Sequence, residues 1–115
     1  MDRVQAKKEY LQTRRPGGVY CIRNGQTGKS YVGYSTDLQA RINRHKMELK
    51  FGSHRNAELR EGWKLLGEAS FAFEILDELT PPEAPGADLL DELRVLQEMW
   101  INKLEAAGDK VASLI

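Results

Sequence analysis

The chain has little cysteine and no long apolar segment, and each shortage excludes a class of protein. Only Cys21 of the 115 residues is a cysteine, so an internal disulfide is excluded and a reducing, cytoplasmic location is expected. No apolar run reaches the length of a membrane span, and the first residues lack the pattern of a secretion signal. Hydrophobic residues make up 41% of the chain, which suits one domain with a modest core.

Net charge is also absent, but the charges are unevenly distributed. Residues 1–60 contain 13 Lys and Arg against 5 Asp and Glu, whereas residues 61–115 contain 4 against 12. The first half therefore carries a charge of +8 and the second half −8. A basic half predicts a surface for nucleic acid or another polyanion. Pairing of the two halves within one fold is the alternative explanation.

Two short motifs join tyrosine to valine and glycine, namely Gly18-Val19-Tyr20 and Tyr31-Val32-Gly33. The polar run between them contains Asn-Gly and Thr-Gly, which is typical of a β-hairpin turn. Such a hairpin can hold both tyrosines on one face. Because a basic helix is predicted next in the chain, this arrangement indicates a site for phosphate chemistry.

The remaining pattern predicts an α+β fold, with a small three-stranded antiparallel sheet flanked by helices. Residues 1–16 are expected to form a basic N-terminal arm or short helix, and residues 17–115 a single domain. The element order is roughly α-β-β-α-α-β-α. Strands are predicted at about 18–23, 30–34 and 70–76, and helices from a cap at 35–37 to about 50, from 56 to 66 and from 88 to 106.

Together the motifs resemble the GIY-YIG nuclease family. Arg41 and His45 follow on the predicted helix, His54 follows in the next loop, and Trp100-Ile101-Asn102-Lys103-Leu104 matches the end of the family's last helix. The resemblance covers about residues 17–105. It implies a divalent-metal-dependent endonuclease that hydrolyses DNA phosphodiester bonds with one Mg²⁺ or Mn²⁺ per site.

The resemblance also implies a role for each matched residue. Tyr20 and Tyr31 would line the site, Arg41 would contact the scissile phosphate, and His45 would be a catalytic or orienting side chain. His54 and Lys29 are further candidates for catalysis or DNA contact.

Two residues are candidates for the base that takes the proton from the attacking water. A tyrosine has a reference pKa of about 10, so its ionisation at pH 7 costs about 4 kcal/mol unless a cation lowers that cost. His45 has a pKa nearer to neutrality. Both Tyr20 and His45 are therefore candidates.

The departure from the family lies at the metal ligand. Family members carry a glutamate three residues before the aromatic of the last-helix motif, and Gln97 stands at that position here. A glutamine offers a hard cation one neutral oxygen, so metal binding and cleavage are expected to be impaired. An introduced Glu→Gln change, a natural inactive relative, or Glu98 as the actual ligand would each explain this.

The expected partner is DNA, duplex or branched, with no membrane. A single site cuts one strand, so a double-strand break would need a homodimer or two binding events. A non-catalytic DNA-binding module with the same fold is the alternative function, and a protein-interaction domain is a weaker one. The residues expected to contact backbone phosphates are Lys7, Lys8, Arg14, Arg15, Arg44, Lys46 and Arg55.

Overall fold

The computed structural model describes residues 16–79 and 89–114. Residues 1–15 of the predicted N-terminal arm lie outside the described residues. The elements are β1 (Gly17–Asn24), β2 (Lys29–Ser35), α1 (Leu38–Phe51), α2 (Ala57–Leu66), a 3₁₀ turn (Glu68–Ser70), β3 (Phe71–Leu79), α3 (Leu89–Ala106) and β4 (Lys110–Ser113).

The sheet has four strands in the order β3-β1-β2-β4, which corrects the prediction of three. The first three strands are antiparallel as predicted, but β4 runs parallel to β2. The predicted element order ends with the helix over 88–106 and does not include β4. Gly108, at φ 95°, lies where the chain leaves α3, and β4 then pairs with the free edge of β2. The Leu114 amide continues this pairing by donating to the Val32 carbonyl at 2.8 Å.

Local signals in the sequence explain the hairpin and the first two helices. The Asn24 side chain accepts the amides of Gln26 and Thr27, which closes the predicted turn. Asp37 caps α1 by accepting the Ala40 amide at 3.1 Å. Asn56 caps α2 in the same way, through the Leu59 amide.

Helices cover both faces of the sheet. On one face Ile22 and Tyr31 pack with Leu49 of α1 and Leu59 of α2. On the other face a second cluster lies beneath α3 and consists of Val19, Cys21 and Val32, with Leu96, Trp100, Ile101 and Leu104 packed against it. Cys21 is a small, fully buried core residue. Within the described ranges, no helix is long and apolar enough to cross a membrane.

Candidate functional site

The two tyrosines lie on the same face of the sheet. Tyr20 is opposite Gly33 and Tyr31 is opposite Ile22 in the β1–β2 register. Gly33 is needed at its position, because a Cβ there would lie 2.6 Å from the Tyr20 hydroxyl oxygen. The glycine of the second motif therefore makes room for the tyrosine of the first motif.

Tyr20 begins a chain of three hydrogen-bonded rings. Its hydroxyl lies 2.5 Å from Nε2 of His45, and Nδ1 of His45 lies 2.7 Å from Nε2 of His54. The Asn56 amide donates to Nδ1 of His54 at 3.0 Å. Tyr20 is fully buried, and His45 and His54 are 9% and 4% exposed. His45 is buried on the same side of α1 as Leu38 and Leu49.

Burial keeps these rings uncharged. It lowers the pKa of His45 from 6.5 to about 4, and the neighbouring His54 and Arg41 act in the same direction. Burial also lowers the pKa of His54. The pKa of Tyr20 is raised by burial, although the Arg41 guanidinium opposes that shift. At neutral pH all three groups are therefore neutral.

Tyr31 has a separate set of partners. Its hydroxyl donates to the Glu58 carboxylate of α2, and Lys29 Nζ lies 2.7 Å from the same carboxylate. Hydrogen bonds from Lys29 and, to a smaller extent, from Tyr31 lower the pKa of Glu58. Burial raises the pKa of Tyr31, and Glu58 adds to this. The two tyrosines thus share a face but not a hydrogen-bond network.

An open cleft of about 440 Å³ lies beside the two histidines. Its lining includes three arginines and one acidic residue, Glu48. Arg44 pairs with Glu48 at 3.3 Å, whereas no ion pair of Arg41 occurs within residues 16–79 and 89–114. The cleft is therefore cationic and suited to an anion such as a phosphodiester. Its lining residues are Arg41, Arg44, His45, Glu48, His54, Arg55, Asn56, Ser113 and Leu114.

Gln97 of α3 reaches the β4 wall of this cleft. Its side-chain nitrogen donates to the Ser113 hydroxyl at 2.7 Å, and the residue is 5% exposed. The side-chain oxygen of Gln97 is buried and has no hydrogen-bond partner among the described residues. Glu98, the alternative ligand, is exposed. This agrees with the rotation of about 100° between successive helical residues.

These residues do not fit a resident Mg²⁺ or Mn²⁺. Hard divalent cations are held by several oxygen ligands, among them at least one carboxylate. The buried oxygen at the matched position belongs to a neutral amide. No group of three or more His, Cys, Asp or Glu that could hold a metal occurs in the part of the chain that the structure describes.

The structure divides the predicted DNA contacts. Arg44 and Arg55 line the cleft, whereas Lys46 lies over the Phe73 ring, 5.1 Å from its centre. The predicted contacts of the arm fall outside the described residues; these are Lys7, Lys8, Arg14 and Arg15.

Three residues with direct contacts to the site were not predicted. Asn56 follows His54 by two positions and caps α2, so its cap signal could have placed it there. Glu58 gave no signal, because its pairing with Tyr31 depends on where α2 packs. Ser113 was missed because β4 was not predicted.

Comparison with known proteins identifies the family of this chain. A family model described as the GIY-YIG catalytic domain matches residues 16–84. The chain belongs to the GIY-YIG family. That match ends before α3 begins at Leu89, so it does not include Gln97. GIY-YIG nucleases are generally dependent on a divalent metal.

The chain is similar to known endonucleases in sequence and in structure. The chain is 33% identical over 89 residues to "Intron-associated endonuclease 1" of Enterobacteria phage T4, which covers 77% of this chain. It spans about one third of that relative, 33% of its length. The catalytic domain of intron endonuclease I-TevI, solved as a glutamate-to-alanine mutant, matches with a TM-score of 0.64 and 26% identity, covering 83% of this chain and 90% of that one. A second structure of the I-TevI catalytic domain, at 24% identity, covers 86% and 98% with a TM-score of 0.65 and supports the fold.

Proposed function

We propose that this GIY-YIG domain binds the DNA phosphodiester backbone in its arginine-lined cleft, and that Gln97 leaves it impaired in metal-dependent hydrolysis. The observation that carries the proposal is the position of the Tyr20–His45–His54 chain beside that cleft, where Arg41 has no ion pair among the described residues. Buried neutral rings next to the Arg41 guanidinium suit a site that must receive an anion.

Arg41 is the proposed contact to the scissile phosphate. A guanidinium can donate two parallel hydrogen bonds to phosphate oxygens and offsets the charge that develops when water attacks. Arg44 and Arg55 would bind neighbouring phosphates, although Arg44 shares its charge with Glu48. Such contacts supply affinity without reading sequence.

The proposed impairment follows from the amide at residue 97. A carboxylate at this position would help to hold a divalent ion, which would supply Lewis-acid chemistry for hydrolysis. Replacing its carboxylate ligand with an amide removes a negative charge, and the buried Gln97 oxygen cannot supply it. DNA binding through the arginines does not require that charge.

DNA binding is tested by fluorescence anisotropy with a labelled duplex in EDTA over a range of salt concentrations. The chain should bind DNA at low salt. The association constant K should fall with rising salt, and the steepness of log K against log salt should decrease by about one in Arg41→Ala and by about one in Arg55→Ala. Arg94→Ala is the matched control, because Arg94 pairs with Asp91 on α3, away from the cleft. If the chain does not bind at low salt, or if Arg94→Ala weakens binding as much as the cleft variants, the proposed function is wrong.

The metal part is tested by isothermal titration of Mn²⁺. We expect no measurable binding by the chain and clear binding by Gln97→Glu. The conservative control is Glu98→Gln, which alters the neighbouring exposed position and should change nothing. Mn²⁺ binding by the unaltered chain that Glu98→Gln removes would reassign the ligand to Glu98.

A non-catalytic DNA-binding module is the second candidate function, and Gln97 is the observation that favours it. In that case the arginine variants would behave as described above, but Gln97→Glu would bind metal without cutting DNA.

For the nuclease, whether a homodimer is needed for a double-strand break would follow from the dependence of cutting on protein concentration.

A further inference from the structure

The hydrogen-bond chain between α1, the following loop and β1 has a direction that its own donors determine. A backbone amide can only donate, so the Asn56 N–H requires an acceptor at Nδ1 of His54. A neutral imidazole has one protonated nitrogen and one acceptor nitrogen. His54 must then carry its hydrogen on Nε2.

The same reasoning passes to the next ring. His54 Nε2 lies 2.7 Å from His45 Nδ1, so the His54 hydrogen is donated there and Nδ1 of His45 is an acceptor. His45 therefore carries its hydrogen on Nε2, which lies 2.5 Å from the Tyr20 hydroxyl oxygen. Tyr20 accepts this hydrogen bond and keeps its own proton.

We propose that His54 is a positioning residue that holds His45 in the Nε2-protonated tautomer, so that His45 donates to Tyr20 and cannot receive its proton. Both nitrogens of His45 are occupied in this arrangement. While these hydrogen bonds are intact, His45 can accept a proton from neither water nor Tyr20. Its N–H instead points at the oxygen on which negative charge would form if Tyr20 lost its proton to another acceptor.

The burial of the two histidines supports this direction. His45 and His54 are 9% and 4% exposed, so water does not compete freely for their nitrogens. Charged groups around them come from several elements: Arg41, Arg44 and Glu48 from α1, and Arg60 from α2, which donates to the His54 carbonyl at 2.9 Å. Among the residues that the structure describes, these groups form no hydrogen bond with either ring.

The chain contains only two histidines, which makes a spectroscopic test direct. Protein labelled with ¹⁵N-histidine is examined at pH 7, without DNA or metal, by long-range ¹H–¹⁵N correlation. Both rings should show a protonated Nε2 and an unprotonated Nδ1. Protonated Nδ1 on His45 in the unaltered chain would overturn the proposal.

Two variants separate positioning from packing. His54→Gln keeps an amide nitrogen that can donate to His45 and an oxygen that can accept from Asn56, so the His45 pattern should persist. His54→Leu removes the donor, and the His45 Nδ1 signal should shift toward the protonated position. An unchanged His45 pattern in a folded His54→Leu protein would overturn the role of His54.

If His54→Leu does not fold, the unaltered chain and His54→Gln still test the direction of the chain. The catalytic meaning of this tautomer rests on the proposed function, but the spectra require neither DNA binding nor cleavage. A failure of DNA binding would therefore leave the tautomer result standing, and the reverse also holds.

Discussion

Acidification should weaken the fold through His45, and the size of the effect follows from its burial. The pKa of His45 is lowered to about 4 in the folded chain, against about 6.5 in an unfolded one. Above pH 6.5 both states are neutral at this residue, and the full stability is present. As the pH falls from 6.5 toward 4, the unfolded chain takes up a proton that the folded chain refuses, so stability is lost.

The loss at pH 5 can be worked out from this difference. The pH then lies about 1.5 units below the unfolded pKa, and each unit is worth about 1.36 kcal/mol, which gives about 2 kcal/mol. His45 is only 9% exposed, so solvent screening does not remove this effect. His54, whose pKa is also lowered, adds in the same direction. The lowered pKa of Glu58 places its own contribution below this window.

Urea unfolding followed by circular dichroism at pH 7.5 and pH 5.0 measures the effect. We expect the free energy of unfolding to fall by at least about 2 kcal/mol, a large part of the stability of a small domain. His45→Gln should lose most of this pH dependence. Equal stability at the two pH values, or an unchanged pH dependence in His45→Gln, would refute the burial of a neutral His45.

Three further tests, of packing and of one ion pair, use the same urea assay. Gly33→Ala places a Cβ 2.6 Å from the Tyr20 hydroxyl, so the ring must move and a loss of about 1–3 kcal/mol is expected; no loss would show that the site is loosely packed. Leu93→Ala empties a fully buried position and should lower the free energy of unfolding by about 2–5 kcal/mol. Its control is Val95→Ala, at a position that is 56% exposed, which should change the free energy of unfolding by less than about 0.5 kcal/mol. Similar losses in the two variants would contradict the orientation of α3. Glu58→Gln breaks an exposed ion pair and should cost less than about 1 kcal/mol, and a larger loss would make that pair structural.

The local parts of the fold could be predicted from sequence because their signals are local. The Asn-Gly and Thr-Gly turn and the Asp37 and Asn56 caps each depend on neighbouring residues. The strand β4 could not be predicted in this way. Its four residues pair with β2, about eighty positions earlier, and a short strand whose partner is distant has no periodicity of its own to mark it.

The candidate site shows the same division. The ordered motifs named Tyr20, Arg41 and His45 because the family resemblance carries them over residue by residue. The bonds between the rings were beyond sequence reasoning, since the inward direction of His45 depends on how α1 packs against β1. The pairing of Tyr31 with Glu58 likewise depends on the packing of α2.

The most direct test of the central claim is a comparison of supercoiled plasmid nicking by the chain and by Gln97→Glu, at equal concentration with Mg²⁺ or Mn²⁺. The account predicts little or no nicking by the chain, and metal-dependent nicking by Gln97→Glu that EDTA abolishes. Strong nicking by the unaltered chain, or a Gln97→Glu variant that binds DNA but leaves the plasmid intact, would contradict the claim that Gln97 is what impairs cleavage.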